Sequence, residues 1–141
     1  MKIAHVINSL NRGGAESHLL ELVKAQTTTG LITDVIVIGE DSSDILSIKK
    51  ELSSVCRKIY RLKGPRMLNI FSYMKLQKII RNNSYDVIHS HQPRSDFMVY
   101  LLKKYLFSDN LFKWIVSIHG KYDSYLDNIS KKNLNYTFLK S

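Results

Sequence analysis

Residues 2–16, Lys2-Ile3-Ala4-His5-Val6-Ile7-Asn8-Ser9-Leu10-Asn11-Arg12-Gly13-Gly14-Ala15-Glu16, run from an apolar stretch through a glycine-bearing loop into a helical pattern. Ile3, Val6 and Ile7 predict a buried strand, and Asn11-Arg12-Gly13-Gly14 punctuates it. Ala15, Leu19, Leu22 and Val23 then recur at the spacing of one helix face, with Glu21 and Lys24 pointing away and Gly30 as a stop. A strand that hands over to a helix in this way opens a crossover to a parallel neighbour.

The pattern repeats. Val35-Ile36-Val37-Ile38 before Gly39 reads as a central parallel strand, and Ser42-Ser43-Asp44 can cap a helix carrying Ile45, Ile48, Leu52 and Val55. Lys58–Leu62 is a third strand without clean alternation, closed by Gly64-Pro65. Met67, Ile70, Phe71, Met74, Leu76, Ile79 and Ile80 predict a helix apolar around more than half its circumference, ended by Asn82-Asn83. Val87-Ile88 is a short strand. Pro93 opens a helix in which Met98, Leu101, Leu102 and Tyr105 share a face, and Trp114–Ile118 is a fifth strand. Five strands alternating with four helices imply right-handed crossovers and an α/β fold, a Rossmann-like doubly wound parallel sheet in a single domain. From Lys121 onward the pattern loses its period, and because an edge formed by the fifth strand would normally be covered or continued, the ending reads as incomplete.

Bulk composition sets limits on this reading. With 141 residues, 44% of them hydrophobic, the chain suffices for one core and is short for two. Lys and Arg outnumber Asp and Glu by 21 to 12, and the net charge of +9 favours anionic partners, whether phosphates, nucleic acid or an acidic membrane surface. Cys56 is the only cysteine, which excludes an internal disulfide and fits a reducing compartment. The opening residues are too short an apolar stretch, interrupted by His5, for a signal peptide, and Lys103-Lys104 breaks the most apolar helix, Phe97–Phe107. The expected location is cytoplasmic. Lys49, Lys50, Arg57, Lys58, Arg61, Lys63 and Arg66 are either a solvated face or, with Met67, Leu68 and Phe71, a surface leaning on anionic lipid at the inner face of the membrane. No nucleic-acid motif accompanies the charge, so nucleic acid is not an expected partner.

Three strands run into polar residues able to do chemistry, and in open α/β sheets ligands bind outside the carboxyl ends of the strands. Gly13-Gly14 is either a turn needing positive φ or a place where backbone amides and the helix dipole receive a phosphate. A dinucleotide fingerprint is absent, since no third glycine follows at the required spacing. Glu16 either complements the helix dipole or faces the site. His89 and His91 share a face if their strand continues and could then ligate zinc, with His119 as third ligand and Asp96 or Asp123 as carboxylate. If the strand ends near His89, His91 turns toward the crevice as a hydrogen-bonding or acid/base group, which Pro93 favours by keeping Gln92 out of the α region. His119, before Gly120 at the end of the fifth strand, is a site residue or a surface loop histidine.

Gly13-Gly14-Ala15-Glu16, Asp86-Val87-Ile88-His89-Ser90-His91 and Val116-Ser117-Ile118-His119-Gly120, in this order, resemble the amino-terminal domain of family 4 glycosyltransferases of the GT-B fold, over residues 1 to about 123. The resemblance implies two Rossmann-like domains across a cleft, a nucleotide-sugar held mainly by the carboxyl-terminal one and an acceptor held mainly by the amino-terminal one. It implies a retaining transfer, such as serves polysaccharide biosynthesis, with no bound metal and no cofactor beyond the nucleotide-sugar substrate. By position, Gly13, Gly14 and the neighbouring Arg12 fall at the donor diphosphate, His119 at the transferred sugar, and His91, with His89 and Glu16, on the acceptor side; His119 and His91 are the expected catalytic residues. The expected protein is therefore a truncated acceptor-side domain spanning 1–141, lacking the donor-binding domain and inactive without a complementing domain or subunit. The rival expectation is a phosphate- or nucleotide-binding Rossmann-like module without transferase activity.

Overall fold

The structure, a computed structural model, describes residues 1–39, 48–62, 70–105, 111–118 and 136–140. The elements are β1 (Lys2–Ile7), α1 (Gly14–Thr28), β2 (Ile32–Val37), α2 (Lys49–Val55), β3 (Lys58–Arg61), α3 (Ile70–Asn83), β4 (Val87–Ser90), α4 (Pro93–Tyr105), β5 (Lys113–Ile118) and β6 (Tyr136–Lys140). All strand pairs are parallel, in the order β3-β2-β1-β4-β5-β6. This is the doubly wound order of Rossmann folds.

Alternation along the strands builds two cores. Ile7, Val35 and Val37 pack with Leu19, Leu20 and Val23 of α1 and Leu52 of α2 on one face of the sheet. Ala4, Val6, Ile36, Ile88, Trp114 and Val116 pack with Leu76 and Ile80 of α3 and Met98, Val99 and Leu102 of α4 on the other. Strands covered on both faces must be apolar on both, which is why β1 and β2 read as nearly continuous hydrophobic runs. The weaker β3, half-buried along most of its length, is an edge strand.

α1 ends as a helix should when glycine follows its cap. Gly30 takes φ +79°, the Gly30 amide donates to the Thr27 carbonyl at 3.0 Å, and the Leu31 amide donates to the Gln26 carbonyl at 3.1 Å. These are the paired bonds of a Schellman motif, open to glycine because it has no Cβ to clash at positive φ.

The structure differs from the sequence expectation in three places. A sixth strand, β6, pairs with β5, so the sheet continues past the fifth strand. Ile70, Phe71 and Met74 are exposed rather than core, because α3 buries only the arc holding Ser72, Leu76, Ile79 and Ile80. Tyr105 is likewise exposed, while α4 buries Met98, Val99 and Leu102. The expected cap at Ser42–Asp44, the residues Met67 and Leu68 and the turn at Gly64-Pro65 lie outside the described residues.

A polar clamp holds the amino end of the sheet. Asp34 of β2 is fully buried; its carboxylate accepts from Arg57 Nε at 2.9 Å, from Arg57 Nη2 and from Tyr85 Oη at 2.5 Å. Arg57 also donates to Asn83 Oδ1 at 3.1 Å, so the guanidinium just before β3 links β2 to the carboxyl end of α3. The hydrogen bond to Asp34 raises the pKa of Arg57, and burial with the same carboxylate raises that of Tyr85. Asp34→Ala strands the buried Tyr85 hydroxyl, whereas Arg57 can turn to solvent. The expected loss in urea unfolding is about 3 kcal/mol, the low end for breaking a buried pair; a loss under about 0.5 kcal/mol, typical of a surface substitution, would show that the clamp is not structural.

Candidate functional site

The chain leaves β1 for α1 on one face and β4 for α4 on the other, so the loops at their carboxyl ends part and open a crevice between adjacent strands. Gln92, between β4 and α4, spans it. Its Oε1 accepts from the Asn8 amide at 3.0 Å and its Nε2 donates to Glu16 Oε1 at 3.0 Å. Ser95 fixes the turn beneath by accepting from the Gln92 amide at 3.0 Å and donating to the Gln92 carbonyl at 2.7 Å.

Glu16 sits in the first turn of α1, buried to 7% exposure, with Ser9 Oγ 3.5 Å from its Oε1. A Cβ built on Gly13 would meet the other Glu16 oxygen, Oε2, at 2.6 Å, so the end of the Glu16 side chain would have to shift to admit one. Gly13 is extended (φ −148°, ψ −177°) and needs no positive φ. A Cβ on Gly14 would meet nothing within 4 Å, so the backbone at the amino end of α1 is open there. Arg12 lies beside the pair in sequence, but its Nη2 bonds Glu51 Oε1 of α2 at 2.7 Å with both side chains exposed. Arg94 brings positive charge to the crevice rim, its Nη1 lying 3.5 Å from a Cβ built on Gly39 at the end of β2.

His89 and His91 are buried, at 3% and 0% exposure, on the face of the sheet that carries α1. The ladder ends at Ser90, but the His91 amide still donates to the Val6 carbonyl at 3.1 Å, and the His91 ring stacks on His89 with centroids 4.1 Å apart. His91 thus keeps to the sheet instead of swinging out into open crevice. Both meet His5 of β1, the register partner of His89: His5 Nδ1 lies 3.0 Å from His91 Nε2, and His5 Nε2 lies 2.7 Å from Gln26 Oε1 of α1. His89 Nε2 is 2.8 Å from Ser117 Oγ of β5. Burial lowers the His5 pKa to about 4, so its imidazole is neutral at physiological pH. His119, Gly120 and Asp123 lie outside the described residues.

On the opposite face Asp96 of α4 is buried, and its Oδ1 has no hydrogen-bond partner. Burial raises its pKa to about 7, a hydrogen bond to Ser90 opposing the shift, and Ser90 Oγ in turn accepts from Trp114 Nε1 at 2.9 Å. Sequence reasoning passed over Gln92, Asn8, Arg94, His5 and Gln26 as site residues. Only topology brings them together.

The parallel sheet with its switch-point crevice, and the exposed glycine pair at a helix start, define a Rossmann-like domain. The Glycosyltransferase Family 4 model matches residues 12–140, and the chain belongs to that family. No curated protein matches it. Among solved structures it is similar to Anabaena HepE in complex with UDP and glucose, with a TM-score of 0.62 and 14% identity over 85% of this chain and 30% of that one. It is also similar to the N,N'-diacetylchitobiose deacetylase of Pyrococcus horikoshii complexed with its inhibitor MPG, with a TM-score of 0.51 and 15% identity over 70% of this chain and 47% of that one. Likeness at these identities is likeness of fold, and the chain spans under half the length of either.

The Asp96 carboxyl gives the site region a measurable pH signature. Its folded pKa, about 7, lies above the unfolded value of roughly 3.9, so the folded state holds a proton that the unfolded state has lost. Its contribution is therefore fully present below about pH 4 and lost as pH rises to about 7, with a slope of up to ~1.4 kcal/mol per pH unit. Asp96→Asn should remove that slope and be more stable than the parent at pH 8. Parallel stability curves for the two proteins would show that the carboxyl is ionised throughout.

Proposed function

We propose that this chain is the acceptor-side half of a retaining glycosyltransferase that moves a sugar from a nucleotide-sugar to a glycan or lipid-linked acceptor. The observation that carries the reading is the family match over residues 12–140, laid on a domain whose exposed glycine pair sits at the amino end of a helix. Exposed amides there, with the positive end of the α1 dipole, suit the donor diphosphate. In this reading Gly13 and Gly14 close on the diphosphate and His119 holds the transferred sugar. His91, with His89 and Glu16, shapes the acceptor side, and Gln92 holds the two lips of the crevice in register. Arg12, engaged with Glu51, reaches the phosphate only by giving up an exposed ion pair, a cost of under about 1 kcal/mol.

Half a cleft cannot exclude water or clamp two substrates. Transfer thus requires a donor-binding domain facing the crevice, whether in the same polypeptide or from a partner. The 141-residue chain alone is expected to turn over no UDP-sugar and to bind UDP weakly, with a Kd above ~1 mM by isothermal titration. UDP is the probe because the structurally similar HepE holds it. Turnover by the isolated chain would sink the half-site reading, and micromolar UDP binding would replace it with a nucleotide-binding module.

The acceptor reading extends to an anionic membrane surface. Ile70, Phe71, Met74, Lys78 and Arg81 fall within roughly 100° of arc on α3, and Phe71 is 75% exposed. Lys58, Lys75 and Lys78 border a groove of about 430 Å³ between that helix and β3. Apolar residues beside lysines are the composition of an interfacial helix. No helix among the described residues is long and apolar enough to cross a membrane, so contact would be peripheral. Phe71→Asp with Met74→Asp should cut co-sedimentation with phosphatidylglycerol vesicles at least tenfold while leaving the circular dichroism spectrum intact. Equal pelleting of both proteins would remove the membrane from the proposal.

A further inference from the structure

The geometry points to a divalent-metal site of the zinc class formed by His5, His89 and His91 on the α1 face of the sheet. It rests on the proposed function in that His89 and His91 also shape the acceptor side there, and it adds His5 and a metal beneath them, where all three imidazoles are buried against the sheet.

Three strictly local facts carry the inference. One nitrogen from each ring lies within 4.8 Å of the others, and all three residues are buried. Zinc bound by imidazoles at about 2.0–2.1 Å with tetrahedral angles sets nitrogens about 3.3 Å apart and ring centroids about 5 Å apart. Here His5 Nδ1 and His91 Nε2 are 3.0 Å apart, and the His5 ring lies 5.2 Å from both His89 and His91. Only the His89–His91 pair, at 4.1 Å, is closer than that, and turning His89 off the His91 face completes the set.

The outward nitrogens fit as well. A metal-bound histidine donates its other N–H to an oxygen that fixes ring and tautomer. Gln26 Oε1 stands 2.7 Å from His5 Nε2, and Ser117 Oγ stands 2.8 Å from His89 Nε2, so each of these rings already faces an oxygen of the kind that orients a metal ligand. Imidazole suits zinc, copper, nickel and iron, and a tetrahedral set of three imidazoles with one remaining position fits zinc. Three protein ligands leave the fourth position to water. The ligands come from β1, from β4 and from the residue just past β4, where the winding reverses, and the metal would tie these two strands beneath the crevice.

The rival arrangement is a plain N–H···N bond between His5 and His91, with His89 stacked on it. An untagged chain, purified without chelator, separates the two. With a site, zinc analysis gives about one equivalent per chain. Cobalt added to the stripped protein gives the visible absorption of four-coordinate Co(II), and zinc competes it away. His5→Ala abolishes both signals, Gln26→Ala weakens zinc binding roughly 10–100-fold while keeping the fold, and His18→Ala, on the exposed face of α1, leaves both unchanged. A zinc content below a tenth of an equivalent together with featureless cobalt spectra overturns the site in favour of the hydrogen-bonded trio. So does equal loss of metal in His5→Ala and His18→Ala, which would mark a surface contaminant.

Discussion

Two adjacent strands of one parallel sheet, β1 and β4, send their chains to opposite faces, and most of what is particular to this molecule follows from that reversal. A crossover is right-handed, so a chain leaving β1 for α1 and another leaving β4 for α4 cannot cover the gap between them. The gap must be bridged by side chains. Gln92 does so with one carboxamide, its oxygen on the Asn8 amide and its nitrogen on Glu16, and Glu16 in turn occupies the space over Gly13. A glycine in the loop, a glutamate in the first turn of α1 and a glutamine after β4 are therefore one structural unit.

Much of the fold was legible because a doubly covered strand has to be apolar on both faces. Val35-Ile36-Val37-Ile38 could hardly be anything else, and Ile3, Val6 and Ile7 carried the same message. β6 was not legible: Tyr136-Thr137-Phe138-Leu139-Lys140 lies in a stretch of mixed Asn, Ser and Lys and gains its partners only through pairing with β5. Helix faces were legible in period but not in extent. α3 offers apolar residues around more than half its circumference, yet a helix on a sheet buries one side. Leu76, Ile79 and Ile80 went inward and Ile70, Phe71 and Met74 were left outside. Sequence shows how wide an apolar arc is, and topology decides which part of it meets the sheet.

The candidate site divides the same way. Gly13-Gly14, Glu16, His89 and His91 announce themselves by standing at strand ends or helix starts. His5 does not, since within an apolar run it looks like an interruption; it joins the others because register sets it opposite His89. Gln92 was visible only as the residue before Pro93, and Gln26 as one polar position on α1. Their roles depend on distances between elements far apart in the chain, and no local pattern records such distances.

A polar cluster beneath a crevice and an ion-paired clamp at the far end of the sheet share a physical logic. Asp34 is buried with Arg57 and Tyr85 around it, and His5 is buried between Gln26 and His91, so in both cases each polar atom's partner comes from a different element. Burying such groups costs free energy unless every partner is in place. Apolar contacts tolerate small shifts between elements, whereas these contacts do not. The clamp therefore sets how β2, β3 and α3 sit at the amino end, and the histidines set how β1, β4 and α1 sit just below the carboxyl edge. Between two such fixed points the strand ends around Gln92 have little freedom to drift, and the crevice between β1 and β4 keeps its shape.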